Sequence, residues 1–306
     1  GTSGNELWKS DGTEGGTQMV KDIWSGSNSG FVGGRDVSDV AVYKNQVFFP
    51  ADDGTNGLEL WTSDGTASGT EMVKDIKTSG DADVGKLTVV GNTLYCVATD
   101  GDSGFELWKS DGTSGGTSMV ELDPGSDGAE IDALKEAGGT LYLTCVCDGA
   151  TASDVGTEVW KSDGTLGGTV LLKDIAPGTA SSSPDDLREM NGNLFFTVDG
   201  HDLWTSDGTS AGTQVVKDFA DTNTSKPLRY PTVVGDELYF ARNVYKTSAT
   251  LWKSDGTTAG TVQLWFSSNT DRANEINRIG HAGSMVFFSA YDSNRGTELW
   301  RSDGTA

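Results

Sequence analysis

Apolar and polar residues alternate along this chain in short runs, broken every few residues by glycine-rich turns. The stretch from Lys86 to Asp123 shows the pattern once through. Residues 86–90 alternate and are β-rich, Gly91-Asn92 makes a tight turn, and residues 93–98 follow as a second strand. The loop 99–104 leads to a third strand at 105–109. After Ser110-Asp111-Gly112-Thr113-Ser114-Gly115-Gly116-Thr117 comes a fourth at 118–122. Nowhere does a useful length of chain carry the helical period. The pattern predicts units of four short antiparallel strands, the size of a propeller blade.

The third strand of every unit ends on the same words. Trp8, Trp61, Trp108, Trp160, Trp204, Trp252 and Trp300 each stand in (Glu/Asp/Thr)-(Leu/Val)-Trp-x-Ser-Asp-Gly-Thr, at spacings of 44–53 residues. A fixed period of that length marks an array of one supersecondary unit. The fold class expected is therefore all-β, a β-propeller of four-stranded antiparallel blades. The chain holds two strands of a first unit, five whole units and three strands of a last one. Such a count favours six blades, one completed from both ends, with seven as the alternative. Neighbouring repeats share one core, so residues 1–306 read as a single propeller domain. Because Gly1-Thr2-Ser3-Gly4 matches internal loops, the chain reads as an excerpt or processed part of a longer one.

Turn chemistry explains why the motif recurs. Serine and aspartate side chains close a turn by accepting nearby backbone N–H groups, and glycine supplies the positive φ. Asp11, Asp64, Asp111, Asp163, Asp207, Asp255 and Asp303 are accordingly assigned a structural role, not a catalytic one. A second regularity follows the turn, in Val20-Lys21-Asp22-Ile23, Val73-Lys74-Asp75-Ile76, Leu172-Lys173-Asp174-Ile175 and Val216-Lys217-Asp218-Phe219. Two units lose Lys and Asp together, at Glu121-Leu122 and Trp265-Phe266. The expectation is a cross-strand Glu–Lys pair with the Asp nearby, holding blade to blade, with apolar packing in its place around Trp265.

These residues, Glu-Leu-Trp-x-Ser-Asp-Gly-Thr-x-x-Gly-Thr-x-x-Val-Lys-Asp-Ile, resemble the ELWxxDGT repeat family over the whole chain. The resemblance implies propeller-like repeats, a secreted or surface location in bacteria and some algae, and no established reaction. The turn is also similar to the Asp-box hairpin of sialidase-type propellers, although here the Trp precedes the turn.

Composition narrows the partners. The net charge is −23, from 45 acidic and 22 basic residues. That excludes a nucleic-acid footprint and disfavours docking to anionic membranes. No apolar stretch approaches the length of a membrane helix, so direct membrane insertion is not expected. Cys96, Cys145 and Cys147 are too few for a disulfide framework; a bridge between neighbouring units is weighed against buried free thiols, and the thiols are favoured.

Candidate chemistry is sparse. His201, in Asp199-Gly200-His201-Asp202, and His281, in Gly280-His281-Ala282-Gly283, are the two histidines. Neither belongs to a nucleophile, phosphate-binding or metal motif, and the arginines are scattered. No enzymatic activity is expected. Acidic loops before the third strand read as solvated Asp-Gly turns, with Ca²⁺ binding as the alternative, Asp52, Asp53, Asp100 and Asp102 as its ligands and Asp148, Asp154, Asp199 and Asp202 in similar loops. The tryptophans read as inter-blade core rather than as sugar platforms. Recognition would then fall to loops 25–36, 149–156 and 221–227, the last with the sequon Asn223-Thr224-Ser225, a candidate glycosylation site at Asn223. The resulting expectation is a non-enzymatic extracellular structural or adhesive module of a cell surface or appendage. Its partners would be other protein subunits or surface polymers and glycans. The alternative is a multivalent glycan-binding, lectin-like propeller.

Overall fold

The computed structural model describes residues 3–31, 39–147, 155–219, 227–244, 248–268, 276–292 and 296–305. Among these residues there is no helix. Twenty-five strands form seven antiparallel sheets, each running through the sequence in order. The first is a ribbon of β1 (Leu7–Lys9) and β2 (Gln18–Lys21). The second comprises β3 (Ala41–Tyr43), β4 (Gln46–Asp52), β5 (Leu58–Ser63) and β6 (Thr70–Lys74). The third comprises β7 (Gly85–Val90), β8 (Thr93–Thr99), β9 (Phe105–Ser110) and β10 (Ser118–Val120). The fourth holds β11 (Ala133–Ala137), β12 (Thr140–Cys145), β13 (Glu158–Ser162) and β14 (Val170–Leu171). The fifth holds β15 (Asp185–Met190), β16 (Asn193–Val198), β17 (Asp202–Ser206) and β18 (Gln214–Lys217). The sixth holds β19 (Leu228–Val234), β20 (Glu237–Val244), β21 (Ser248–Ser254) and β22 (Val262–Ser268). The last has three strands, β23 (Ile279–Ala282), β24 (Met285–Asp292) and β25 (Gly296–Ser302). By contact the chain divides into two compact units, Gly1–Val155 with Trp160–Val170, and Gly156–Val159 with Leu171–Ala306.

The Ser-Asp-Gly-Thr turn is closed from within, as its residue types require. In the third sheet Ser110 Oγ accepts the N–H of Gly112 (3.0 Å) and lies 2.7 Å from Thr117 Oγ1. Asp111 Oδ1 accepts both the N–H (2.9 Å) and the hydroxyl (2.7 Å) of Thr113, and these bonds hold its carboxyl below the usual carboxylate range. Gly112 sits at φ 92°, and a Cβ on Gly116 would lie 2.0 Å from Asp111 Oδ1, so the carboxylate packs where any side chain would stand. The Ser–Thr bond recurs in six copies, starting at Ser10, Ser63, Ser110, Ser162, Ser206 and Ser254.

The same turn is a contact between sheets. The ring of Phe48, on β4, would lie 3.3 Å from a Cβ on Gly112, closer than ordinary van der Waals contact, so the turn's backbone packs directly on the ring. The Tyr43 hydroxyl donates to Asn92 O, and Lys44 Nζ donates to Asp111 O at 2.8 Å. Between these two sheets lies a core of Tyr43, Phe48, Leu60, Val73, Leu94 and Trp108, among others. Trp61 and Trp108 are 5% exposed and Trp160 is fully buried, whereas Trp8, on the two-stranded ribbon, is 57% exposed. Trp204, Trp252 and Trp300 are half-buried.

The expected Glu–Lys pair is corrected. Lys74 does join neighbouring sheets, but its Nζ donates to Thr117 O (2.8 Å) and lies 5.9 Å from the centre of the Trp108 ring. Lys21 and Lys173 do the same with Thr70 O and Trp61, and with Thr213 O and Trp204. An ammonium finds a carbonyl and an aromatic face there without being sealed against a carboxylate. The glutamates face the other way, into their own sheet, as described below. In the sixth sheet Trp265 occupies the register position of Lys74, opposite Leu251, and packs on Trp300 at 5.6 Å. Charge reversal in Lys74→Glu would set a carboxylate against both the carbonyl and the ring. We expect it to lower the unfolding free energy by about 2 kcal/mol, read from the denaturant midpoint. An unchanged midpoint would remove this role from the lysines.

The cysteine expectation is corrected as well. Cys145 and Cys147 form a disulfide, their i, i+2 spacing bringing the two side chains to one face at the end of β12. Cys96 is free and buried, and desolvation pushes its thiol up to about 12.

Candidate ligand-binding site

Glu6, Glu59, Glu106 and Glu158 are buried and hold the segment that follows the last strand of their sheet, whereas Glu298, in the three-stranded sheet, is exposed. Glu59, fully buried on β5, accepts the N–H of Ile76 (2.8 Å) and of Lys77 (3.2 Å). Glu106 accepts from Leu122 (2.7 Å) and Asp123 (3.1 Å), and Glu6 from Ile23 and Gly30. Glu158 takes the Ser182 hydroxyl at 2.7 Å and the N–H of Ala176. Burial outweighs these bonds and pushes the carboxyls of Glu59 and Glu106 up to about 7. These are internal clamps with no opening to solvent, and they bring no reacting group to the surface.

The acidic loops are turns of the same kind. Asp52 Oδ1 accepts the N–H of Gly54, and Asp53 accepts those of Thr55 and Asn56 together with the Asn56 amide. Asp100 accepts from Asp102 and Ser103. Among the described residues, no group of three or more His, Cys, Asp or Glu side chains is placed to hold a metal ion. His201 Nδ1 lies 3.2 Å from Val198 O and 3.9 Å from Asp202 Oδ1, and His281 is exposed. Asn223, Asp148, Asp154 and most of loops 149–156 and 221–227 lie outside the described residues, as does the later part of loop 25–36.

A different set of residues converges on a cavity of about 470 Å³ within the first unit. It lies where three successive sheets begin. Asp39 precedes β3, Asp83 and Lys86 flank the start of β7, and Glu130 and Asp132 precede β11. Val97, Phe105 and Ile131 supply its apolar wall. The entry to β7 is tied to the neighbouring sheet by Asp39, whose Oδ1 accepts the N–H of Lys86 at 2.7 Å. On the far side, Ala129 N–H donates to Phe105 O and Asp132 N–H to Thr144 O, both at 2.9 Å, which fixes the segment carrying Glu130. Asp83, Lys86 and Glu130 all have positive φ (51°, 55° and 43°). Ser183 and Asp186 take the same conformation at the entry to β15 (46° and 56°), with the same register shift, so this backbone belongs to the repeat. Four acidic residues and one lysine thus line a single open cavity. Among the described residues they form no group of three or more placed to hold a metal ion.

None of these five residues stood out in the sequence. The sheet-starting segments lack the repeat's fixed words, and only sheet stacking brings positions 39, 83 and 130 together. The available signal was an acidic residue just before the first strand in three consecutive units.

Comparison with known proteins bears on the fold. No protein-family model matches the sequence, and no curated protein does. The structure is similar to an oligogalacturonate lyase solved in complex with manganese, with a TM-score of 0.53 and 12% identity over 85% of this chain and 71% of that one. It is similar to a puromycin-hydrolyzing peptidase of Mycobacterium tuberculosis (TM-score 0.50, 15% identity, 85% of this chain) and to prolyl endopeptidases (0.51, 14%, 86%). The chain spans only 42% and 39% of those two. The fold is all-β and propeller-like. These similarities correct the expectation of a non-enzymatic structural or adhesive module, because the fold is one shared with a lyase and with peptidases. They equally remove the ground for excluding an enzyme, while at such identities they carry the fold and no chemistry.

Proposed function

We propose that this chain is a ligand-binding, propeller-like domain of an enzyme-related kind, and that its acidic cavity receives an extended organic cation such as a lysine- or arginine-rich peptide segment or a polyamine. The carrying observation is that Asp39, Asp83, Glu130 and Asp132 line one cavity with a single lysine, Lys86. The net charge of −23 supports it, since a field of that sign steers cations toward the molecule. The same charges oppose a polyanion of the kind the lyase's name implies. Strand number supports closure into six blades over seven, and the repeat's resemblance to the ELWxxDGT family supports an extracellular setting.

Calorimetric titration with spermidine and with a lysine-rich peptide tests the reading. We expect saturable binding that weakens at least about tenfold between roughly 20 and 200 mM NaCl, as screening predicts. Absence of heat at low salt, or binding indifferent to salt, would overturn it.

A further inference from the structure

The junctions between sheets provide an internal control for a second site. Three junctions of the first unit place a lysine ammonium on a backbone carbonyl of the neighbouring Ser-Asp-Gly-Thr turn. Lys9 Nζ donates to Gly65 O, Lys44 Nζ to Asp111 O and Lys109 Nζ to Gly164 O, each at 2.8 Å. The lysine comes from one of two places: the position after the motif tryptophan, as in Lys9 and Lys109, or the first hairpin turn, as in Lys44. Where one position lacks it the other supplies it, for Thr62 follows Trp61 in the sheet that carries Lys44.

In the fifth sheet both positions lack a cation. Thr205 follows Trp204, and Asn191 (φ 55°) holds the place of Lys44 (φ 49°). Here, within the second unit, a pocket of about 340 Å³ opens against the next turn, Asp255-Gly256-Thr257. Its floor is Met190 and Phe195, the ring of Phe195 lying under Gly256 as Phe48 lies under Gly112. Its rim carries the side-chain amides of Asn191, Asn193 and Gln214. Two carboxylates line it, and each is engaged by its own turn: Asp255 accepts the N–H and hydroxyl of Thr257 and Asp207 those of Thr209, so the pocket also offers carbonyl and amide oxygens over an apolar floor.

We propose that this pocket binds a primary alkylammonium group, seated where those three junctions seat their own lysine. Its N–H groups donate to the carbonyls of Asp255 or Gly256 and to the amide oxygens, and its alkyl chain lies over Met190 and Phe195. The site is distinct from the acidic cavity in place, and it takes one ammonium between two turns whose aspartates are already engaged by their own threonines.

The probe is n-butylammonium, and the reporter is the Met190 methyl resonance of protein labelled at its methionine methyls. We expect a saturable shift of Met190, with a Kd in the millimolar range that suits a single ammonium with a short chain. Nα-acetyl-lysine methylamide should shift the same signal if a lysine side chain is accommodated, and a response to n-butylammonium alone would assign the site to free amines. Thr205→Lys, which restores the ammonium of those three junctions, should raise the melting temperature and weaken n-butylammonium binding at least about tenfold; Asn191→Lys should do the same. Glu130→Gln/Asp132→Asn should leave the Met190 titration unchanged, which separates this site from the acidic cavity. The proposal is overturned if Met190 does not respond, if Thr205→Lys binds as the parent does, or if the N-trimethylated analogue, which has no N–H to donate, binds equally well.

Discussion

Alanine in place of Trp108 should lower stability by about 3–5 kcal/mol, the range for deleting a large buried aromatic ring. The ring is 5% exposed and packs with Val73, Ile76, Leu94, Cys96 and Ala98 between two sheets. Its Nε1 donates to Ala98 O at 3.1 Å, and Lys74 lies over its face. The substitution therefore opens a cavity, leaves Ala98 O without that donor and strips Lys74 of its aromatic partner in one step. Trp8 tests the same idea from the opposite side. It carries the same motif but is 57% exposed, and Trp8→Ala should cost under about 1 kcal/mol. Denaturant melts of both variants decide the matter. Equal losses would mean that the motif acts by something other than burial between sheets.

Glu106→Ala should cost about 2–4 kcal/mol, because it leaves the buried N–H of Leu122 and the half-buried N–H of Asp123 without their acceptor. The pH dependence of stability follows from the same residues. Desolvation pushes Glu59 and Glu106 up to about 7, and raises Glu158, above their ordinary values. Between the unfolded value near 4.5 and about 7 the folded state holds more protons than the unfolded one. The stability contributed by these groups is therefore complete below about pH 4.5 and is lost as pH rises through 7. The turn aspartates act in the opposite sense. Their carboxyls are lowered, chiefly by hydroxyl bonds such as that from Thr113 to Asp111, so their contribution is present above the usual aspartate range and lost as pH falls below it. The melting temperature should be highest near pH 5 and decline by pH 8. Glu59→Gln and Glu106→Gln should flatten that decline, which calorimetric melts across the window will show. A melting temperature that rises from pH 5 to pH 8 would contradict the assignment.

Much of the architecture was legible because the repeat states its own local rules. Alternating runs such as 93–98 became β8, the Ser-Asp-Gly-Thr turns closed through their own side chains, and the two-, four- and three-stranded sheets follow the strand reading of the sequence. Side-chain partners across sheets were harder. Glu59 and Lys74 sit in adjacent strands and bear opposite charges, so sequence reasoning paired them. Geometry instead turns Glu59 toward its own loop and Lys74 toward the next sheet. Asp53 and Asp100 resembled cation ligands because turn formation and metal binding draw on one residue type, and only the N–H groups around them separate the two roles. The acidic cavity was the least legible feature. Asp39, Asp83 and Glu130 are separated by more than forty residues at each step and share no motif, and their proximity is a product of sheet stacking.

The division of labour between an architectural repeat and a binding cavity is tested most directly by titrating the lysine-rich peptide into Glu130→Gln/Asp132→Asn. Both side chains are exposed, so the variant should melt as the parent does. At low salt its affinity should fall at least about tenfold, because two of the four carboxylates lining the cavity are gone. An undiminished affinity with an unchanged melting curve would place the cation elsewhere on this acidic surface and contradict the cavity as the binding site.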